Sequence, residues 1–586
     1  MKKKPRKADQ LFILILLLFI ILIYFLFTTQ VIKGDDYKEI AEKNYFRIIK
    51  KPTKRGIIYD CNMQPITENI PSLSVYLDIE AINDCDSVAS FLSANLEVPK
   101  DKVSDLIYKH RFFKFAPVLV REKVDMETAI KIEEQCESYP SIIIKSEAIR
   151  YYDTKSHFIG YVGKISEAEY QQFKEDDYSK IDYIGKVGLE KSYESELKGE
   201  KGYDVIQVDA TGKHLGLVKG DTGKQPIPGK DIVLTVDKHL QKKIIELLPQ
   251  DTSSVAIVMN CRTGGIIAMV STPDYNPNYF ITGMDEEYWK RIIENKNNPL
   301  LNKAIKASYP PGSIFKLMVA AYVLEKNLVD PYEIFTDCEG GVEYGGRFFG
   351  CWKEEGHGKV NLIDAIRESC DSYFYKIAEI LDLNDFRNFL IDCNLLENVL
   401  VDQIPSKRGF FPTPEWYDKN YGKLGWTRGN LLNLVIGQGE VLLTPLSVVC
   451  FYAGIANEGV ITRPHFADYT ISNGVTEKFK YPQLRLPVSR KTIDILKQAL
   501  YEAVNAKGRT GGMARVQDIM VGGKTGSAEN YQGETHAWFV AIAPMNDPEV
   551  VVVVFVEQGG SGADIAAIAA GKILGHYFDK KPLLRY

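Results

Sequence analysis

Residues 309–316 read Tyr309-Pro-Pro-Gly-Ser-Ile-Phe-Lys316, and an apolar-rich run from Ile314 to Leu324 follows at helical spacing. The Pro-Pro-Gly turn hands the backbone to Ser313, so the spacing predicts Ser313 at a helix start with Lys316 on the same face. A partly desolvated amine there can take the serine's proton, and the N–H groups of a helix start favour developing negative charge. Alone the pair carries little. Ser-x-x-Lys arises by chance in long chains, and a helix cap beside a solvated lysine accounts for it equally well.

The chain has 586 residues, room for two or more domains with real cores, and an ordinary globular composition of 45% hydrophobic and 25% charged residues. A formal net charge of −5, with no domain-sized basic face, argues against a nucleic-acid partner. The N-terminus departs from this pattern. Lys2, Lys3, Lys4, Arg6 and Lys7 precede Leu11 to Phe27, seventeen uninterrupted apolar residues. Thr28 to Ile32 extends the span to roughly 30 Å of helix, enough to cross a bilayer. A cleaved signal peptide or a buried core helix are the alternatives. Small-x-small cleavage residues are missing after Phe27, and a core helix rarely lacks a polar face. The expectation is a single-pass anchor at the plasma (inner) membrane, with a cytoplasmic N-terminus and an exported body.

The sequence divides into an anchor (1–35), a middle region (36–230) and a C-terminal domain (231–586). In the middle region the pattern predicts a helix over Asp36 to Asn44 and a strand from Arg47 to Tyr59 bent at Gly56. It also predicts a helix over Met126 to Gln135, a glycine-entered helix over Ile184 to Leu197, and a strand from Tyr203 to Val208. Nothing there assembles a nucleophile with a base, so the region reads as a scaffold or interaction surface. After the linker Gly223 to Gly229 come a strand, Asp231 to Val236, and a helix, Lys238 to Leu248. A hairpin follows, Ser254 to Met259 and Gly265 to Ser271, turned by Asn260-Cys-Arg-Thr-Gly264. Val521 to Ala528, Ala537 to Ala543 and Glu549 to Glu557 are three further strands, and a helix from Ala563 to Phe578 follows them. Together these imply an α+β fold, one five-stranded antiparallel sheet covered by helices, with the Ser313 helix packed on it.

Two further motifs change the weight of Ser313. Ser369-Cys-Asp371 lies between the helical patterns Asn361 to Arg367 and Ser372 to Leu381, in a tight turn that projects a hydroxyl and a carboxylate together. Lys524-Thr-Gly-Ser527 lies on a strand entered through Gly522-Gly523, where bare glycines let a substrate backbone approach. The order Ser-x-x-Lys, Ser-x-Asp, Lys-Thr-Gly resembles that of the penicilloyl-serine transferases, the penicillin-binding proteins and serine β-lactamases. The resemblance implies Ser313 as the acylated nucleophile, Lys316 as base and Ser369 as proton relay beside Asp371. It also implies that Lys524 and Thr525 hold the carboxylate of a stem peptide ending in D-Ala-D-Ala. The oxyanion would lie at the N–H groups of Ser313 and Ser527, and Gly526 is implied with them in substrate binding.

The resemblance extends beyond the motifs. Arg55-Gly-Ile-Ile-Tyr-Asp60 and Gly188-Leu-Glu-Lys-Ser-Tyr193 resemble the pedestal, or dimerisation, signatures of class B penicillin-binding proteins. Gly350-Cys-Trp-Lys353, Gly356-His-Gly358, Ser369 to Tyr375, Gly437-Gln-Gly-Glu440 and Leu443-Thr-Pro445 look most like the penicillin-binding protein 2 family. Asn260-Cys-Arg-Thr-Gly264 departs from the commoner Asp-Pro-x-Thr-Gly. The implied activity is that of a serine-type D-Ala-D-Ala transpeptidase/carboxypeptidase, cross-linking peptidoglycan during cell elongation and inhibited by β-lactams. A membrane-embedded glycan polymerase of the rod-shape (SEDS) type and other elongation-complex proteins are the implied partners. A division-type transpeptidase, a β-lactamase and a penicillin-binding sensor are the other readings of the same motifs.

Nine cysteines cannot all pair within one chain, and most, such as Cys393 and Cys450, read as buried small hydrophobes. Cys338, Cys351, His357 and Cys370, spaced Cys-x12-Cys-x5-His-x12-Cys, are different. Three thiolates and an imidazole suit a closed structural zinc site; a Cys338–Cys351 disulfide and buried free thiols suit the spacing as well. Gram-negative members of the penicillin-binding protein 2 family are similar here and carry zinc. The chemistry itself needs no cofactor.

Overall fold

The computed structural model describes residues 7–35, 46–111, 117–208, 214–217, 223–250, 252–423, 425–530 and 533–583. The helix expected over Asp36 to Asn44 lies outside them. The chain forms two compact units, one of residues 1–55, 70–149 and 199–229, the other of residues 56–69, 150–198 and 230–586. The larger unit thus takes in two segments that precede residue 230 in sequence.

The smaller unit begins with a helix, Lys7–Phe27, continued by a π-turn, Thr28–Ile32. Leu11–Ile32 is long and apolar enough to span a membrane, and none of it is buried. Pro52 has no N–H for a ladder, and the strand Phe46–Lys51 stops before it. The sequence expectation of one bent strand from Arg47 to Tyr59 is therefore corrected: Ile58–Tyr59 is a separate strand in another sheet. Phe46–Lys51 pairs antiparallel with Gly202–Val208 instead. Elsewhere in this unit, Val75 and Leu77 are packed under the helices Cys85–Leu96, Lys100–His110 and Met126–Glu133 through Val88, Leu92, Ile107 and Ile132.

In the larger unit, strands β1 (Ser254–Asn260), β2 (Ile266–Thr272), β3 (Gly522–Ala528), β4 (His536–Ala543) and β5 (Val550–Val556) form one sheet in the order β2-β1-β5-β4-β3. Every pairing is antiparallel. The central strands β4 and β5 are buried along their whole length, which is why they read as unbroken apolar runs and not as an alternation. One face carries Val552, Val554, Phe539 and Ala541, and these pack with Leu240 and Ile244 of the helix Lys238–Leu247 and with Ile573 and Leu574. On the sheet also lies Pro445–Ala456, a helix with every residue buried. Glycine-rich β3 is left at an edge.

The helix expected over Ile184 to Leu197 is not one helix. Tyr183–Val187 is a strand paired with Tyr161–Lys164, and two short helices follow, Gly188–Ser192 and Glu194–Leu197. Gly188, at φ +65°, turns the chain from the strand into the first of these helices. That turn buries Glu190, whose carboxylate accepts from Arg150 Nε at 2.7 Å, while Arg150 Nη1 donates to the Gly56 carbonyl at 2.7 Å. Both side chains are almost fully buried. Removing one member leaves the other as an uncompensated buried charge, at a cost of about 3–5 kcal/mol. Glu190→Ala should lower the unfolding free energy of the larger unit by that amount, read as a drop in its calorimetric transition; an unchanged transition would contradict the ion pair.

Candidate active site

Tyr309 to Gly312 is held from several sides. Tyr309 and Leu443 exchange both backbone hydrogen bonds at 2.9 Å, and Gly312 N–H donates to the Gly437 carbonyl at 2.9 Å. The indole N–H of Trp538 donates to the Pro310 carbonyl at 3.0 Å, and the Tyr452 hydroxyl donates to the Ile314 carbonyl at 2.9 Å. The turn closes tightly because side chains are missing. A Cβ on Gly312 (φ +55°) would lie 2.6 Å from the Ser527 carbonyl oxygen, and one on Gly437 (φ +76°) would lie 2.1 Å from that of Gly312. Ser313 lies in a 3-10 turn, Gly312–Phe315, and the α-helix α1 (Lys316–Glu325) begins only at Lys316. The serine is half-buried at the mouth of the turn.

Lys316 is wholly buried. Its ammonium donates to the Ser369 carbonyl at 2.8 Å, to Asp371 Oδ1 at 2.8 Å and to Ser369 Oγ at 3.4 Å. Lys316 thus faces Ser369 and Asp371 most closely. Ser369 occupies the turn between the helices Leu362–Arg367 and α2 (Asp371–Ile380), at φ +57°, a strained position for a side-chain-bearing residue. The strain turns its hydroxyl inward. Asp371, the first residue of α2, places its carboxylate at a helix N-terminus.

Lys524 reaches the same hydroxyl from β3. Its Nζ donates to Ser369 Oγ at 2.9 Å and to the Thr525 carbonyl at 3.1 Å. Burial, and then the charge of Lys316, push Lys524 well below the usual lysine range, with Asp371 opposing. Two lysines therefore converge on one hydroxyl, and only one of them has a carboxylate partner. Thr525 is nearly buried, Gly526 packs against the Pro311 carbonyl and Ile314, and Ser527 is exposed with its Oγ accepting from Gly562 N–H at 3.1 Å.

Around the second motif, the ligand atoms of Cys338, Cys351, His357 and Cys370 all lie within 4.8 Å of one another. All nine cysteines are free thiols, so the Cys338–Cys351 disulfide is not formed; Cys393 and Cys450 are buried as expected. His357 Nδ1 is 3.5 Å from both Cys338 and Cys351 sulfurs, and its Nε2 is buried without a hydrogen-bond partner among the described residues. The hydrogen bond from Cys370 holds Cys351 far below the usual thiol range against the cost of burial, with His357 adding to it. Cys370, the donor, is pushed up by the same bond and by burial. Burial works against the His357 cation, but its bonds to Cys351 and Cys338 outweigh that and raise it.

The cluster is tied to the site by contacts that no motif announces. Asp371 N–H donates to Cys351 Sγ at 3.3 Å, and Trp352 N–H donates to Asp371 Oδ2 at 3.0 Å. The Trp352 indole donates to the Glu368 carbonyl at 3.0 Å, one residue before Ser369. Trp352 was visible in sequence only within Gly350-Cys-Trp-Lys353, and its role is carried by a backbone N–H.

The profile for the penicillin-binding protein transpeptidase domain matches residues 254–575, and that for the penicillin-binding protein dimerisation domain matches residues 50–234. Peptidoglycan D,D-transpeptidase MrdA of Haemophilus influenzae is 29% identical, over 98% of this chain and 92% of its own length. MrdA of Acinetobacter baumannii is 30% identical, over 92% of this chain and 83% of its own. A solved complex of penicillin-binding protein PBP2 with MreC from Helicobacter pylori superimposes with a TM-score of 0.79 at 27% identity, covering 91% of this chain and all of that one. With the three motifs meeting at the Ser369 hydroxyl and both domain profiles matched in order, the chain belongs to the penicillin-binding protein transpeptidase family.

Proposed function

We propose that the chain is the peptidoglycan D,D-transpeptidase of cell elongation, with Ser313 as its nucleophile. The observation that carries the residue assignment is the convergence of Lys316 and Lys524 on the Ser369 hydroxyl behind the turn that presents Ser313. Ser313 Oγ attacks the carbonyl of the penultimate D-Ala, and the C–O bond forms as the oxyanion settles at the Ser313 and Ser527 N–H groups. The C–N bond then breaks and the terminal D-Ala leaves with a proton. An amine of a neighbouring stem peptide attacks the ester, its C–N bond forms, the C–O bond to Ser313 breaks, and Ser313 Oγ takes up the proton that the amine gives up.

Lys316 takes the Ser313 proton, and for that it must first give one of its own away. The path from Lys316 through Ser369 Oγ to Lys524 supplies a receiver: burial and the Lys316 charge favour the proton-free form of Lys524, and it accepts a proton once that repulsion is offset. A substrate carboxylate arriving at Thr525 offsets the repulsion from Lys316 and restores charge to Lys524. Binding and proton acceptance are thereby coupled.

The cluster fits zinc. Tetrahedral zinc with Zn–S of about 2.3 Å sets neighbouring sulfurs roughly 3.8 Å apart, which the observed grouping accommodates. Cys338, Cys351, Cys370 and His357 Nδ1 would hold it. When bound, the ion would supply structural cross-linking alone, fixing the loop that gives Asp371 the Trp352 N–H and the Cys351 sulfur. The helix Leu11–Ile32 crosses the plasma membrane with the basic N-terminus in the cytoplasm and the catalytic unit outside. A membrane-embedded glycan polymerase of the SEDS type supplies the strands to be cross-linked, and an MreC-like scaffold protein joins the assembly, as in the Helicobacter complex.

Labelled penicillin should attach to Ser313, mapped by peptide mass, and Ser313→Ala should lose at least about 10³-fold in acylation rate; attachment elsewhere would overturn the assignment. The second-order acylation rate should rise with pH to a plateau, because the receiver must be neutral. Its inflection should lie well below the ordinary lysine value, and Lys524→Arg should be slow at every pH with that inflection lost. Purified protein should contain one zinc per chain, and a chelator should slow acylation; zinc-free protein with full activity would remove the metal.

A further inference from the structure

The open edge of β3 is partly covered by a side chain. Gln438 Nε2 donates to the Ser527 carbonyl at 3.3 Å, and Gln438 Oε1 accepts from Glu529 N–H at 3.0 Å. Ser527 and Glu529 are two residues apart, so both groups point off the same side of the strand. That side is the free one, because β3 pairs only with β4 in the sheet. The Gln438 amide therefore uses the acceptor and the donor that an added strand would use.

A stem peptide with its scissile carbonyl at Ser527 N–H would need the Ser527 carbonyl as well. In a hydrogen-bonded pair of an antiparallel ladder the two residues exchange both hydrogen bonds, so a residue whose carbonyl accepts from Ser527 N–H in that register aims its own N–H at the oxygen that Gln438 holds. Gln438 is half-buried, its backbone N–H donates to the Asn433 carbonyl at 2.9 Å, and it lies between Gly437 and Gly439 at φ +76° and +70°. The segment is anchored by its backbone, so the side chain can leave its two hydrogen bonds without moving the turn.

We propose that Gln438 is a self-occupying gate on the substrate edge of β3, a specificity-determining side chain that must leave Ser527 before an extended peptide can be acylated. The inference rests on the reading of Ser313 as the acylated residue. Closed, the amide satisfies the edge and withholds it from ligands that need it. Apparent affinity for a peptide-like ligand is then lowered by the fraction of molecules that are open. A ligand without an amide N–H at that position meets no such competition.

The test compares two β-lactams on the full chain. Benzylpenicillin carries an acylamino N–H next to the reacting ring, and a carbapenem carries a hydroxyethyl group there. Gln438→Ala and the size-matched Gln438→Met should raise the second-order acylation rate for benzylpenicillin about three- to tenfold, the yield of removing one or two modest hydrogen bonds. The carbapenem rate should change less than twofold. Equal changes for both ligands, or a fall for benzylpenicillin at an unchanged unfolding temperature, would overturn the gate. A fall for both in Gln438→Met would assign the side chain to holding the loop, which also overturns it. Failure of the unsubstituted protein to react with either ligand would instead overturn the reading of Ser313.

Discussion

The site depends on two lysines and one carboxylate brought together away from water. A buried ammonium without a counter-charge is costly, and here Asp371 faces Lys316 while burial and the Lys316 charge disfavour a charge on Lys524. Much of the surrounding structure serves that asymmetry. The left-handed turn at Ser369 supplies a carbonyl and a hydroxyl to the lysines, the N-terminus of α2 steadies Asp371, and Trp352 occupies its second oxygen. A site with both lysines equally paired would have no preferred direction for a proton.

The sheet serves the same end at longer range. β4 and β5 are buried on both faces, so the sheet has a rigid centre, and β3 can be glycine-rich and open at the edge without losing its position. Trp538, on β4, reaches past β3 to hold the Pro310 carbonyl. The strand that carries Lys524 and the turn that carries Ser313 are thereby referenced to one frame.

What was legible in the sequence follows from range. Four of the five strands were readable because burial makes them apolar runs, β3 through its glycines and the Lys-Thr-Gly motif, and the three motifs because their residue types and order are rare together. Ile184 to Leu197 was misread because Gly185 and Gly188 suggested a helix entrance, whereas β-branched Ile184 and Val187 belong to a strand. Ser313 in a 3-10 turn was not readable, since the choice depends on Gly312 meeting Gly437. The backbone of Trp352 and the side chain of Gln438 act on residues 19 and 89 positions away, and neither leaves a local signature.

The back-to-back glycines at 312 and 437 bear on drug escape. Any side chain at either position collides with main-chain oxygen, so a variant that added bulk there would displace Ser313, the proposed nucleophile, along with the inhibitor. Selection for resistance is thereby steered off the turn and toward flanking positions where a side chain can change with the backbone left in place.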